Sequence, residues 1–269
     1  MFVLDVAKGI LQSTIIYVDE FLHKFKIKTV SAYHREIEIC LAITTATASG
    51  LKFGGWALSK KSIRSFCAHL FSKTDSPNIV ELGGGVSTLF WMNMQKICNP
   101  IIQVSTFEHN PIWGSKLDSL ITDKTIQLKV VKIKQISDVE KNILFNDPIE
   151  ASNAWLNMGK TIAADQYENT RIKNAFYSLD NSDFDTFMPI DGLVVDGPHG
   201  NGRSIAFVLF YRFIHPGTVI LIDDFNHYDF LADLGRCFKY EILERQEKKY
   251  KSYVILRIID IADVRNGAS

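Results

Sequence analysis

The residues best suited to do chemistry are Glu81-Leu82-Gly83-Gly84-Gly85-Val86-Ser87-Thr88. An acidic residue closes a short apolar run, three glycines turn the chain, and a helical pattern follows. Glycine suits such a turn because a ligand can approach the bare backbone and a positive φ costs it little. The free N–H groups at the helix start then face a carboxylate or phosphate. A dinucleotide fingerprint would read G-x-G-x-x-G; here Gly83-x-Gly85 is followed by Val86, Ser87 and Thr88. A turn without any ligand fits the octapeptide too. A second apolar run ends Ser105-Thr106-Phe107-Glu108, about 23 residues after Gly85, where an acid can accept both hydroxyls of a ribose. Alone, Glu108 reads equally as a solvated carboxylate. Glu81, the glycines and Glu108 together describe a pocket for an adenosine-type ligand.

Further along, Asp196 closes the run Val194-Val195-Asp196-Gly197-Pro198-His199-Gly200, and Asp223-Asp224 close the next. Strand C-termini line the ligand crevice of a parallel α/β sheet, so Asp196 is expected at the reacting end of the ligand. Three carboxylates on neighbouring strand ends repel one another unless a cation or protons intervene. Oxygen ligands of this kind suit Mg²⁺, Mn²⁺ or Ca²⁺. The other reading leaves Asp196 and one of the pair to orient loops and substrate by hydrogen bonds. His199 and His227 follow these strands, and each is a candidate proton acceptor. Arg203 either binds an acidic group on the substrate bidentately or pairs with a nearby Asp. Trp56 and Trp113 are candidates for the pocket rim and equally for the core.

These residues need a frame. Short apolar runs at Asn78–Leu82, Gln103–Phe107, Ile126–Ile133, Gly192–Val195 and Thr218–Ile222 alternate with helical segments, which predicts a parallel sheet covered on both faces. Ser87 is a possible N-cap for the helix after the first strand, and Asn110-Pro111 opens the next. Arg203–Ile214 reads as a helix stopped by His215-Pro216-Gly217. Tyr240–Leu243 and Tyr253–Ile258 read as an antiparallel hairpin closing the sheet edge. Ser137–Pro189 breaks the rhythm; a structureless loop of about 50 residues is unusual in a compact domain, so an insertion with one or two helices is expected, covering the acceptor pocket as a lid. Upstream, Leu11, Ile15, Val18, Leu22 and Phe25 repeat at helical spacing, as do Tyr33, Ile37, Cys40 and Leu41. Ser59 is placed to cap a third helix with Ile63, Phe66, Cys67, Leu70 and Phe71 inward. This helical extension over 1–53 is read as packing, with a substrate cover or a homodimer contact as the alternatives.

Length and composition narrow the classes. The 269 residues suit one catalytic-size domain plus an extension. Hydrophobic residues at 46% and charged ones at 22% exclude disordered and fibrous classes. Thirty Lys+Arg balance thirty Asp+Glu, which leaves no basic excess for a general nucleic-acid binder. The longest uncharged stretch, about 14 residues from Leu82 to Gln95, is too short to span a membrane. The start MFVLDVAKGI lacks the basic opening of a secretion signal. Cys40, Cys67, Cys98 and Cys237 show no metal-binding spacing; they read as buried small hydrophobes in a reducing cytoplasm.

With Gly55-Trp56-Ala57-Leu58-Ser59, Val80–Leu89, Phe107-Glu108-His109, Val195-Asp196-Gly197-Pro198 and Ile222-Asp223-Asp224 in view, the chain resembles the class I S-adenosylmethionine (SAM)-dependent methyltransferases. The resemblance runs from Gly54 to Ile259 and is nearest a bacterial branch with ELGSGVSTL and VDGPxG signatures, from which Gly84 departs where that branch has Ser. It implies a Rossmann-like, doubly wound, seven-stranded, mostly parallel sheet with an antiparallel last strand over 54–269. It also implies cofactor contacts from Glu81, Gly83, Gly84, Gly85, Ser87, Glu108 and His109, with Glu81 and the glycines at the methionine end and Glu108 on the ribose. Asp196 and His199 are then the expected catalytic pair. Asp196, Asp223 and Asp224 are similar to the metal ligands of cation-dependent catechol-type O-methyltransferases, although those carry an Asp-Asn pair where this chain has Asp-Asp. The function so implied is methyl transfer to a small-molecule acceptor at oxygen, with Mg²⁺ or another divalent cation as a second cofactor. A nicotinamide-dependent oxidoreductase and a non-catalytic SAM-binding protein are the alternatives.

Overall fold

A computed structural model describes residues 30–55, 57–98, 102–167, 172–248 and 251–262. The expected helix over Leu11–Phe25 and the rim candidate Trp56 lie outside them. Val30–Thr47 form α1 and Lys60–Leu70 form α2. Ser59 caps α2 as its type dictates, its hydroxyl accepting from the Ser62 amide at 2.9 Å. Then come β1 (Asn78–Leu82), α3 (Val86–Cys98), β2 (Gln103–Glu108), α4 (Pro111–Asp118) and β3 (Ile126–Val130). Asn110 starts α4, its side chain accepting from the amides of Ile112 and Trp113, both at 3.0 Å, with Pro111 in the first turn.

The irregular middle holds β4 (Ile133–Gln135), α5 (Asp138–Asn146), α6 (Ala151–Leu156), β5 (Lys160–Thr161), β6 (Ala175–Tyr177) and α7 (Asn181–Phe184). The chain returns to the main sheet with β7 (Ile190–Val195), α8 (Ile205–Leu209), β8 (Ile214–Asp223), α9 (Phe230–Gly235), β9 (Phe238–Lys248) and β10 (Lys251–Ile261).

The main sheet has seven strands in the order β3-β2-β1-β7-β8-β10-β9. The last strand, β10, runs antiparallel to both β8 and β9, and the pairs among β1, β2, β3, β7 and β8 are parallel. This is the doubly wound, mostly parallel, Rossmann-like architecture. Side chains alternate between two apolar layers: Val80, Leu82, Leu193, Val195, Ile220 and Ile222 enter one, and Ile79, Val194, Val219, Leu221, Tyr253 and Ile255 the other. The second layer meets α1, α2 and α3; the first meets α8, α9 and the middle segment. Leu82 pairs with both Phe107 and Val195, so β1, β2 and β7 end level and open one crevice.

Several expectations are corrected. Ile126–Ile133 is two strands, because β4 leaves the main sheet for a small antiparallel one ordered β5-β4-β6. His215-Pro216-Gly217 does not stop a helix; α8 ends at Leu209 and these residues lie inside β8. A register shift after Ile190 takes up the extra residues, so Pro216 sits in a bulge where its missing N–H breaks no ladder. Cys40 is exposed, whereas Cys67 and Cys237 are buried. Ser137–Pro189 holds three helices, α5, α6 and α7, where one or two were expected, and Leu144, Phe145, Trp155, Phe176 and Tyr177 from it are buried in the first layer. No helix among the described residues is long and apolar enough to cross a membrane.

Candidate functional site

The crevice at the ends of β1, β2 and β7 holds a cavity of about 680 Å³, within the size range of small-molecule sites. Its floor is the glycine turn. Gly83 has φ +95°, and a Cβ there would lie 2.9 Å from the Gly197 backbone nitrogen, so the turn after β1 and the turn after β7 pack backbone to backbone. Gly85 is different: nothing lies within 4 Å of where its Cβ would project, and that space belongs to the cleft. Gly85 precedes α3 and takes the position expected for Ser87. Ser87 is therefore the second residue of the helix and not its N-cap, although it does line the cleft.

Glu108 stands beside that turn, at the end of β2. One carboxylate oxygen accepts from the amides of His109 and Asn110, both at 2.7 Å, and the other from the Gly84 amide at 3.1 Å. Burial works to raise its pKa, but the His109 ring and the amides of Asn110 and His109 outweigh burial and hold the carboxyl below its ordinary value. His109 lines the cleft, with Nδ1 3.2 Å from the carboxylate. Trp113 is at the rim, as one reading of the sequence had it, its indole donating to the Gly84 carbonyl at 2.7 Å.

Glu81 does not reach the cleft. It is fully buried, accepting from the Thr88 hydroxyl at 2.6 Å, the Thr106 hydroxyl at 2.9 Å and the Trp91 indole at 3.2 Å. Burial raises its pKa and these donors, with Ser87, pull it back. Thr88 in turn accepts from the Gly85 amide at 3.0 Å. Glu81 thus braces the glycine turn from behind, a correction to its expected place beside the cofactor.

At the far end, Asp196 and His199 line the cleft together. Asp223 is wholly buried at the end of β8, next to the end of β7 that leads into Asp196. Burial raises the pKa of each, with mutual repulsion adding to the rise of Asp223; Arg203 and Lys251 oppose it at Asp196. Arg203 is also buried, and the sequence left its role open between an acidic substrate group and a nearby Asp. Its Nε donates to the Pro198 carbonyl at 2.9 Å and an Nη to the Asp223 carbonyl at 3.1 Å, so it ties the ends of β7 and β8 together. Asp224 stands at φ +48° outside the cleft lining, and His227 is exposed away from it.

The expected cation site is not formed. Among the described residues no group of three or more His, Cys, Asp or Glu side chains is placed to hold a metal ion. The positive charge comes instead from Lys251, whose ammonium is ion-paired with Asp223.

Sequence reasoning missed three contributors. Lys251 belongs to a strand that no local pattern places beside β8. Leu51, Lys52, Gly54, Gly55 and Ala57, ahead of α2, line the cleft mouth; the Gly54-Gly55 break was the available signal. Tyr177, from β6, lies under the floor, its hydroxyl 2.8 Å from where a Gly197 Cβ would be. Burial and the nearby Glu108 charge push that hydroxyl well above its ordinary pKa.

No family model and no curated protein matches the chain. Similar solved structures include a precorrin-6y C5,15-methyltransferase from Geobacter metallireducens, 11% identical, with TM-score 0.43 over 79% of this chain and 95% of that one. An O-methyltransferase from Bacillus cereus, in complex with SAH, is 14% identical, with TM-score 0.41 over 92% and 99%. Fibrillarin from Aeropyrum pernix, with natively bound S-adenosyl-L-methionine, is 12% identical, with TM-score 0.36 over 67% and 66%.

Proposed function

We propose that this chain is a SAM-dependent methyltransferase acting at oxygen on a small-molecule acceptor. The observation that carries the reading is the meeting, in one cleft, of the glycine turn after β1, Glu108 at the end of β2 and Asp196 after β7. The residues suit the adenosine end of SAM: Gly85 leaves open space that a side chain would fill, and Glu108 is a charged acceptor held rigidly by three amides. When bound, SAM supplies a methyl group already activated on sulfonium. The chain has then to align and to move a proton. Glu108 accepts the ribose hydroxyls. Asp196, with an oxygen facing the cleft, accepts the acceptor's hydroxyl proton, and His199 beside it is the second group able to do so. Leu51, Lys52, Gly54, Gly55 and Ala57 line the mouth, where they exclude water from the reacting end.

A nicotinamide-dependent oxidoreductase would also use Glu108. The sheet speaks against it: the dinucleotide fold ends in strands ordered 4-5-6, whereas here an antiparallel β10 is inserted between β8 and β9. Calorimetry with SAM and with NAD separates the two enzymes. Formation of S-adenosylhomocysteine with panels of phenols, sugars and small acids then separates an enzyme from a binding protein. Binding of NAD and not SAM would overturn the proposal.

A further inference from the structure

Counting in twos along each strand sets Asp196, Asp223 and Lys251 on one face of the sheet. Val194, Leu221 and Tyr253 enter the same apolar layer, and Asp196, Asp223 and Lys251 are each two residues away from one of them. Tyr253 pairs with Asp223 across the β8–β10 ladder, so Lys251 lies beyond the end of β8 and its side chain reaches back to the carboxylate. The Lys251 side chain is 14% exposed and that of Asp223 is 0%. One Asp223 oxygen takes the ammonium; the other is buried with no hydrogen-bond partner. Two carboxyls on neighbouring strand ends repel one another, and the Lys251 ammonium on Asp223 is the counter-charge that offsets them. A divalent cation bridging the two carboxyls at the same place would have to displace the Lys251 ammonium.

We propose that Lys251 is the built-in counter-ion of the Asp196–Asp223 pair, a positioning residue that stands where a divalent cation would otherwise be needed. Its positioning role rests on the methyltransferase reading; its place as counter-ion does not. Lys251 holds one oxygen of Asp223 and Arg203 holds the backbone at both strand ends, which positions the turn that brings Asp196 to the cleft. Asp224 does not compete, since its amide is tied to the Ser252 carbonyl at 2.8 Å in a left-handed turn.

The test is a Mn²⁺ titration, followed by electron paramagnetic resonance, of the full chain, of Lys251→Ala, and of Lys251→Ala with Asp223→Asn. The wild type is expected to bind no Mn²⁺ at this site. Lys251→Ala should gain binding by about tenfold or more, because the acidic oxygens lose their counter-charge, and the added Asp223→Asn should remove it. Ethylammonium should raise the Tm of Lys251→Ala and not that of the wild type, and Lys251→Arg should behave as wild type in both measurements. A merely structural lysine would not be restored by a free amine. Asp223-dependent Mn²⁺ binding by the wild type overturns the proposal even if Lys251→Ala does not fold. So does a folded Lys251→Ala that neither gains Mn²⁺ nor responds to ethylammonium. SAM binding measured on the same wild-type sample keeps the two readings apart: its absence sinks the methyltransferase, and leaves the counter-ion to the metal titration.

Discussion

Replacing Glu108 by glutamine changes one oxygen to an NH₂ and nothing in size. The carboxylate serves three amides: His109 and Asn110 at 2.7 Å on one oxygen and Gly84 at 3.1 Å on the other. Glutamine keeps one acceptor. Held so as to retain the two short bonds, it turns its NH₂ toward the Gly84 N–H, donor against donor. A buried amide left without an acceptor costs about 1–3 kcal/mol, so unfolding in urea should show a loss of that size. The ligand is affected separately. A charged acceptor for sugar hydroxyls contributes about 1.5–3 kcal/mol, which is roughly a ten- to hundredfold rise in Kd for SAM by calorimetry. A Glu108→Gln chain that unfolds cooperatively and binds SAM within about twofold of the wild type would refute the ribose assignment, because the charge would then be shown to serve only the turn.

Glu81→Ala should act on stability: the hydroxyls of Thr88 and Thr106 can turn elsewhere but the Trp91 indole cannot, so a loss of about 2–4 kcal/mol is expected in urea unfolding, and an unchanged midpoint would contradict the bracing role. Gly202→Ala sets a Cβ 1.9 Å from the Ala175 carbonyl oxygen, where only backbone movement can relieve it; destabilisation of about 3 kcal/mol or more should appear as a lowered Tm, and a wild-type Tm would mean that the seam between the two sheets is looser than described. Asp223 has its pKa pushed up to about 8 by burial and by Asp196, so the folded chain keeps a proton that the unfolded chain releases near pH 4. Its contribution is therefore complete in acid and is lost as pH rises through about 8; the Tm of the wild type should fall more steeply from pH 5 to 9 than that of Asp223→Asn, and parallel curves would sink the claim.

What was legible in the sequence is what is local. Ser59, Asn110-Pro111 and the glycine turn act on neighbours a few residues away, and each does what its type dictates. Asp196 and Glu108 were found because they end apolar runs. The miss at Glu81 was avoidable, since Val80 and Leu82 share one face of β1 and period two sends Glu81 with Ile79 to the other, under α3. Lys251 was not readable. Its partner is 28 residues away across a strand that enters the sheet out of sequence order, and the sequence offered a divalent cation in its place. The bulge in β8 was hidden for a related reason: Pro and Gly punctuate a helix and a bulge alike, and only the pairing with β7 distinguishes them.

The position of β10 also orders events on the ribosome. Every other strand of the main sheet, and both members of the acid pair, is synthesised before Lys251 emerges. Until then β8 presents an unpaired edge, and Asp196 and Asp223 face each other with only Arg203 to offset them. A nascent chain halted at that stage is open at the sheet and unbalanced in charge at the same spot, which makes it a substrate for chaperones or proteases. When the last strand slides between β8 and β9, hydrogen bonding and neutralisation arrive in one step. Closure of the sheet and completion of the cleft are thereby the same event.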